Sequence, residues 1–116
     1  MSISTSEIQT ARALKAAVTE DSLAVDLVDG RTVVVPLAWY PRLLHGTRQE
    51  RIHWRIIGRG VGIHWPDLDE DISVEGLLAG KASGESQASF KRWLEARTTA
   101  RANKRMPVTA RKARRA

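Results

Sequence analysis

Three histidines and one run of carboxylates are the side chains of this sequence that could do acid–base or metal chemistry. His45, His53 and His64 lie eight and eleven residues apart. Zinc sites use ligands in close pairs or one helical turn apart, and many of them include cysteine. The chain contains no cysteine. We therefore predict no metal site and no cofactor, and we interpret the histidines as helix-end, helix-face and strand residues.

The carboxylates Asp67, Asp69, Glu70 and Asp71 form the second group. Hard cations such as Mg²⁺ and Ca²⁺ bind carboxylate oxygens, so an enzyme that uses a divalent ion here is one hypothesis. The glycine of a calcium-binding loop is missing, however, and the run precedes an apolar helical pattern. Carboxylates in that place cap free amides and favour the positive end of the helix dipole. Capping or a solvated turn is the simpler interpretation.

The sequence lacks the motifs of nucleophilic or phosphate-binding enzymes. Gly58, Gly60 and Gly62 alternate with other residues, but a predicted strand follows them, and the lysine and hydroxyl of a phosphate loop are missing. A tight turn with positive φ explains these glycines better. No serine lies in a G-x-S-x-G elbow. We predict that the protein is not an enzyme.

The charge of the chain is segregated along its length. Residues 91–116, the basic segment, contain ten Lys and Arg and one acid, a net charge of +9. The whole chain has +6, so residues 1–90 have −3. Clustered cations neutralise nucleic-acid phosphates and release counterions. We predict non-specific contact with the phosphates of DNA or RNA by Arg92, Arg97, Arg101, Lys104, Arg105, Arg111, Lys112, Arg114 and Arg115. A solubilising extension, or a segment that binds an acidic protein, is the alternative.

Four tryptophans are many for 116 residues. Each can bury about 150–250 Å², and a small domain needs that area, so most of them are predicted to lie in the core. Trp39 and Tyr40 stand at a predicted helix start, and aromatic side chains are enriched at the centres of interfaces. We predict a contact with a protein partner at Trp39 and Tyr40.

The elements that position these residues follow from the apolar pattern. Ser4 and Glu7 have the spacing of a capping box. Strands are predicted at 14–18, 23–27 and 31–35 from apolar alternation. Asp29-Gly30 between the last two predicts a hairpin with a two-residue type I′ turn, and Pro36 ends its second strand.

Short helices dominate the rest of the predicted structure. Residues 37–46 are predicted to be helical, and Thr47 caps a second helix that runs to about residue 53. Strands at 55–57 and 61–65 enclose the glycine turn, and Ser73 or Asp71 caps a further helix. A last helix from about residue 86 to 101 has one apolar stripe, and residues 105–116 are predicted to be disordered.

Several motifs between residues 23 and 80 form one long pattern: Leu23-x-Val25-x-Leu27-x-Asp29-Gly30-Arg31, Val35-Pro36-Leu37-Ala38-Trp39-Tyr40-Pro41-Arg42-Leu43, Trp54-Arg55-x-Ile57-Gly58-x-Gly60-x-Gly62-Ile63-His64-Trp65-Pro66 and Leu68-Asp69-Glu70-Asp71-Ile72-Ser73. On these residues the chain resembles the bacterial domain of unknown function 2442 family, over about residues 14–80. The resemblance implies a small α+β domain and no established chemistry. Some family members look like halves of two-gene modules, which implies an antitoxin-like or regulatory role and a protein partner encoded nearby.

The sequence as a whole predicts an α+β fold with one antiparallel sheet of four or five strands and short helices on one face. We expect a domain over 1–80, a linker and amphipathic helix over 81–104, and a basic tail over 105–116. The lack of cysteine, of a signal peptide and of an apolar run of about 18 residues favours a cytoplasmic protein without membrane contact. The predicted function is a non-enzymatic binding module, antitoxin-like or a small ribonucleoprotein subunit. The alternative is a protein-interaction module that does not bind nucleic acid.

Overall fold

The structure is a computed structural model that describes residues 11–100 of the chain. The capping box predicted at Ser4 and the disordered tail predicted over 105–116 lie outside the described residues. The chain divides into two units between Ser83 and Gly84, whereas the sequence predicts a boundary after residue 80. Within residues 11–100, none of the helices is both long and apolar enough to cross a membrane.

The first sheet of the N-terminal unit is an antiparallel meander of three strands. β1 (Ala13–Val18), β2 (Ser22–Leu27) and β3 (Thr32–Pro36) pair in the order β1-β2-β3. Alternation sets the faces, because Leu23, Val25 and Leu27 of the central strand are all buried. The predicted strands and their end at Pro36 are confirmed.

The hairpin between β2 and β3 is confirmed, but the predicted two-residue type I′ turn is wrong. The Leu27 amide donates to Arg31 O (2.8 Å) and the Gly30 amide donates to Leu27 O (3.0 Å), so three residues form the loop. Gly30 has φ +96, whereas Asp29 is not among the residues with positive φ. This is the pattern of a type I turn followed by one left-handed residue. The Asp29 side chain accepts from the Arg31 amide (3.0 Å), which stabilises the loop without positive φ at Asp29.

A second antiparallel sheet follows, where the sequence predicts only one sheet for the whole domain. β4 (Arg55–Ile57), β5 (Gly62–Trp65) and β6 (Glu70–Ser73) pair in the order β4-β5-β6. β6 was not predicted, because the composition of these residues is that of an acidic turn. Only Ile72 supplies an inward apolar side chain, 3% exposed, and charged residues are typical of edge strands.

Three short helices connect and flank the sheets. A 3-10 turn (Leu37–Trp39) leads into α1 (Pro41–Leu44), so residues 37–46 form two short pieces and not the single helix that was predicted. α2 (Arg48–Ile52) has the predicted cap at Thr47, a full capping box with Glu50. α3 (Val74–Leu78) begins at Ser73, whose hydroxyl accepts from the Gly76 amide (2.9 Å).

The two sheets of this unit touch where β1 contacts β4 and β5. Its fully buried side chains include Trp65, Leu37, Leu43 and Leu68, together with the inward residues of β2. Gly60 approaches β1 closely, since a Cβ at that position would lie 3.2 Å from Ala13 O, and its φ is +98. Glycine is required at residue 60 for both reasons.

The C-terminal unit is described from residue 84 to residue 100, and residues 87–100 form helix α4. Ser86 caps it, because its hydroxyl accepts from the Ser89 amide (3.1 Å). The predicted stripe is present: the rings of Phe90 and Trp93 stack with their centroids 5.7 Å apart, and the Arg97 guanidinium lies 4.7 Å from the Trp93 centroid.

Candidate functional site

The three aspartates of the carboxylate run, Asp67, Asp69 and Asp71, each contact a different cationic or histidine side chain. The His53 Nδ1–H donates to Asp67 (2.7 Å), and the His64 Nδ1–H donates to Asp71. Arg42 lies 3.8 Å from the Asp69 carboxylate. The three partners come from α1, the end of α2 and β5. Asp67 and Asp69 therefore connect the turn between β5 and β6 to α2 and α1, and Asp71 pairs with His64 across the two strands.

In this arrangement each carboxylate faces a different partner, whereas a divalent-ion site requires the carboxylates to converge on one point. Among residues 11–100, no group of three or more histidine and carboxylate side chains is placed to hold a metal ion. The prediction that the run caps a helix is wrong for Asp71, because α3 is capped by Ser73. Asp67 and Asp69 lie instead in the turn before β6, where Asp69 has φ 50 and Leu68 is fully buried, and Glu70 and Asp71 begin β6.

The glycine motif forms the turn that was predicted, and it lies beside a cleft. Gly58, Arg59 and Gly60 have φ values of 59, 58 and 98. A left-handed conformation costs an L-residue about 1–2 kcal/mol, so Arg59 is held there by its surroundings. The Val61 amide donates to Gly58 O (3.2 Å) and closes the turn.

The outer face of the second sheet carries this cleft, with a volume of about 300 Å³. The pairing places Ile57, Gly62 and Ser73 in one row across the sheet and Arg55, His64 and Asp71 in the next. Because the central residue of the first row is glycine, the Ile57 side chain leans over it: Ile57 Cγ1 would lie 3.4 Å from a Cβ at Gly62. The walls are apolar on the β4 side and carry the Asp71 carboxylate and the Ser73 hydroxyl on the β6 side. The cleft is lined by Ile57, Gly58, Val61, Gly62, Asp71, Ile72 and Ser73.

Sequence reasoning missed the cleft because it missed β6. The signal was present, since Asp71 and Ser73 alternate with the buried Ile72 in the pattern of a half-buried strand. Four residues with two acids gave too weak a signal to be distinguished from a turn.

Of the two aromatic residues predicted to bind a partner, only Trp39 exposes part of its side chain to solvent. Trp39 is half-buried, whereas Tyr40 is 4% exposed and its hydroxyl donates to Lys81 O (3.2 Å). Tyr40 follows the 3-10 turn and points into the core of the N-terminal unit. We therefore keep Trp39 as the predicted contact and assign Tyr40 a packing role.

Because Tyr40 is buried, the stability of the fold is expected to depend on pH in the alkaline range. Burial, and to a lesser extent the charge of Glu70, raises the pKa of Tyr40. The folded state therefore holds the phenol proton more tightly than the unfolded state does. The resulting stability is complete below the unfolded pKa of about 10 and is lost as pH rises through the folded pKa.

We expect the free energy of unfolding of the full chain to fall more steeply above pH of about 10 than that of Tyr40→Phe. At neutral pH the variant should also lose about 1 kcal/mol of unfolding free energy, because it lacks the hydrogen bond from Tyr40 to Lys81 O. Tyr40 is the single tyrosine, so tyrosinate absorbance follows it directly. Parallel alkaline losses in both proteins would contradict the prediction.

Only two of the nine predicted nucleic-acid contacts lie among the described residues. Arg92 is exposed on α4 next to the exposed Lys91, while Arg97 is half-buried over Trp93. The other seven lie outside the described residues: Arg101, Lys104, Arg105, Arg111, Lys112, Arg114 and Arg115.

The two three-stranded sheets with short helices define a small α+β domain, as the sequence predicts. The family described as "Protein of unknown function (DUF2442)" matches residues 13–83, and the chain belongs to this family. The family resemblance stated from the motifs is confirmed. No curated protein matches the chain.

Two solved structures are similar to the domain. A crystal structure of a protein of unknown function from Rhodospirillum rubrum ATCC 11170 has 32% sequence identity and a TM-score of 0.56, and the match covers 67% of this chain and 94% of that one. A solution NMR structure of an uncharacterized protein from Chromobacterium violaceum has 19% identity and a TM-score of 0.57 and covers 66% and 72%. The second likeness shows the fold alone.

Proposed function

We propose that the protein is a non-enzymatic binding module whose basic segment contacts nucleic-acid phosphates while its folded domain docks a protein partner. The observation that carries the proposal is the charge segregation, ten cations against one acid in residues 91–116 and a net −3 in the rest of the chain. A polycation attached to an acidic domain binds phosphate without drawing the domain itself onto the nucleic acid.

The start of α4 supports this proposal. Lys91 and Arg92 are adjacent and exposed, and their side chains leave the helix about 100° apart, so they reach phosphate oxygens from neighbouring faces. Arg97 stacks on Trp93, and its contact with phosphate competes with that stacking. The remaining predicted cations follow α4 in sequence.

Contacts of this kind give affinity without sequence preference. Phosphate contacts fix position on the nucleic acid but carry no base information. Single-strand stacking is not part of the proposal, because Trp93 is the single aromatic residue after Phe90 and is already in contact with Phe90 and Arg97. DNA and RNA of the cytoplasm are both suitable partners. An antitoxin-like role and a place in a small ribonucleoprotein both fit this mode of binding.

The experiment that tests the proposal is a gel-shift titration of the full chain against a chain that ends at Asn103, at low ionic strength. The shorter chain lacks six cations, and we expect its affinity for a short DNA duplex and for single-stranded RNA to fall by at least about a hundredfold. Equal affinity of the two chains would overturn the nucleic-acid function.

The alternative is the protein-interaction module without nucleic-acid binding, favoured by the half-buried Trp39 and the acidic charge of residues 1–90. Under that alternative, neither chain shifts any polynucleotide, and a partner captured from the source cell is retained after nuclease treatment and after removal of residues 104–116. Loss of capture on truncation would exclude a module whose basic segment plays no part in partner binding.

A further inference from the structure

The two sheets of the N-terminal unit have four edge strands within residues 11–100, and three of these edges carry charge. β1 has a register shift between Ala13 and Lys15 and the ammonium of Lys15. β4 has only three residues and begins with Arg55. β6 contains Glu70 and Asp71. Charged side chains, bulges, proline and short length are the usual protections of a sheet edge against pairing with another chain.

β3 is protected at one end only, by its last residue, Pro36. Its residues 32–36 include three consecutive valines and no charged side chain, and its pairing with β2 has no register shift. Thr32, Val34 and Pro36 are exposed, Val34 by 62%, although α3 contacts β3. Because β-branched residues have high strand propensity, this edge is suited to receive a further strand.

The backbone groups of the same three residues face away from β2. The Leu27 amide donates to Arg31 O (2.8 Å), so these two residues form a hydrogen-bonded pair at the hairpin end. Such pairs alternate along antiparallel strands, and the register continues unchanged from there. Thr32, Val34 and Pro36 therefore fall at the positions whose backbone points outward. Within residues 11–100 these groups have no strand partner, since β3 pairs with β2 alone.

The charges of the hairpin do not select a charged occupant for this edge, because they are paired with each other. Asp26, opposite Thr32 on β2, lies 3.5 Å from the Lys15 ammonium. Arg31 lies 2.8 Å from the Asp29 carboxylate. An acidic or a basic segment would therefore find no unpaired opposite charge on the hairpin. The occupant that fits is an uncharged, β-branched strand, and β3 of a second copy of this chain is such a strand.

We propose that the protein forms a two-fold symmetric dimer in which β3 pairs antiparallel with β3 of a second copy, with Val34 opposite Val34. The two Val34 residues exchange two N–H···O bonds, and each Thr32 amide donates to Pro36 O of the other copy. Because Pro36 has no amide, these four bonds use every outward amide of both strands. The two first sheets then form one sheet of six strands, and the exposed Val34 side chains cover each other.

The same arrangement brings opposite charges together at its two ends. Asp21 lies at the Pro36 end of β3, where the Leu37 amide donates to its carbonyl (2.9 Å). The antiparallel register brings Arg31 of the second copy to that end, opposite Leu37. No like charges face each other along the paired strands, and like charges in opposite positions are what destabilises such pairs.

The dimer is expected to be weak. A strand of five residues buries less than the roughly 1,200 Å² of a standard interface, so we expect a Kd between about 10 μM and 1 mM. Sedimentation equilibrium of the full chain across that range measures it, in about 0.3 M salt to screen the basic segments. The average mass should rise reversibly from 12.9 kDa towards twice that value.

Val34→Lys places two ammonium groups opposite each other and should raise the Kd at least about tenfold. Val28→Lys is the matched control, because Val28 is 64% exposed and its amide donates to Arg12 O (2.9 Å). That bond places Val28 beside β1, at the other edge of the same sheet. The Kd of the control should stay within about twofold of wild type.

A cysteine at Val34 tests the register, since the chain contains no cysteine. The Cα atoms of the two paired Val34 residues would lie about 5.5 Å apart, and a disulfide requires about 4.4–6.8 Å. Under mild oxidation we expect Val34→Cys to form a covalent dimer much faster than Val28→Cys, its equally exposed control. This measurement also serves if Val34→Lys fails to fold.

Three results would overturn the inference: a chain that stays monomeric at millimolar concentration, equal weakening by Val34→Lys and Val28→Lys, or equal cross-linking rates of the two cysteine variants. The inference does not depend on the proposed function. None of these measurements contains nucleic acid or another protein, so the two fail separately.

Discussion

Raising the salt concentration from about 50 to about 200 mM is expected to weaken the binding of the full chain to a short DNA duplex by about 10³-fold, if six cations reach phosphate. Each neutralised phosphate releases condensed counterions, and the logarithm of the binding constant falls by about 0.9 per contact for each decade of salt. The basic segment has ten cations, so six contacts are within its reach. Fluorescence anisotropy at several salt concentrations measures the slope.

Two triple variants of equal charge make the salt experiment specific to the basic segment. Replacing Arg111, Arg114 and Arg115 by Gln should reduce the slope by about 2.7. Replacing the exposed Arg48, Arg55 and Lys81 of the N-terminal unit by Gln removes the same charge and should leave the slope nearly unchanged. Equal slopes for the two variants would show that net charge matters and the basic segment does not.

Trp65→Ala is expected to cost about 3–5 kcal/mol of unfolding free energy. Trp65 is fully buried at the end of β5, and its indole N–H donates to Arg51 O (3.0 Å). The substitution therefore opens a large cavity and removes the indole partner of a part-buried carbonyl. Because the free energy of unfolding of a domain of this size is small, we expect much of the Trp65→Ala population to be unfolded at room temperature. Chemical denaturation followed by circular dichroism measures this.

Trp54→Ala is the matched control for that loss. Trp54 is half-buried one residue before β4, so the same deletion opens to solvent and leaves a smaller cavity. We expect a loss clearly below that of Trp65→Ala. Similar losses at the two positions would mean that burial of the indole at Trp65 does not decide the stability.

The sequence contained most of the information about local structure in this chain. Alternation in residues 23–27, the capping box at Thr47 and the cap at Ser73 each act over a few residues, and the structure confirms them. The hairpin was predictable for the same reason. Its turn type was not, because Asp-Gly fits both a two-residue and a three-residue loop, and the pairing of Leu27 with Arg31 selects between them.

The site required information that no short window contains. β6 has two acids in four residues and becomes a strand only because Ile63 and Trp65 of β5 offer a paired edge and a core for Ile72. The partners of Asp67, Asp69 and Asp71 lie 14, 27 and 7 residues away. From the sequence alone the carboxylate run is therefore interpreted as a helix cap, because its partners His53, Arg42 and His64 come close to it only in the folded protein.

The amino-acid order by itself determined the family, the α+β class and the charge segregation, since these depend on composition and on patterns repeated over neighbouring residues. Only the tertiary structure decided that there are two sheets, that Tyr40 is a core residue and that a cleft ends at Asp71. The physical reason is the range of the interactions: propensity, capping and net charge act locally or as a sum, whereas strand pairing and burial depend on residues that are distant in the chain and come together only on folding.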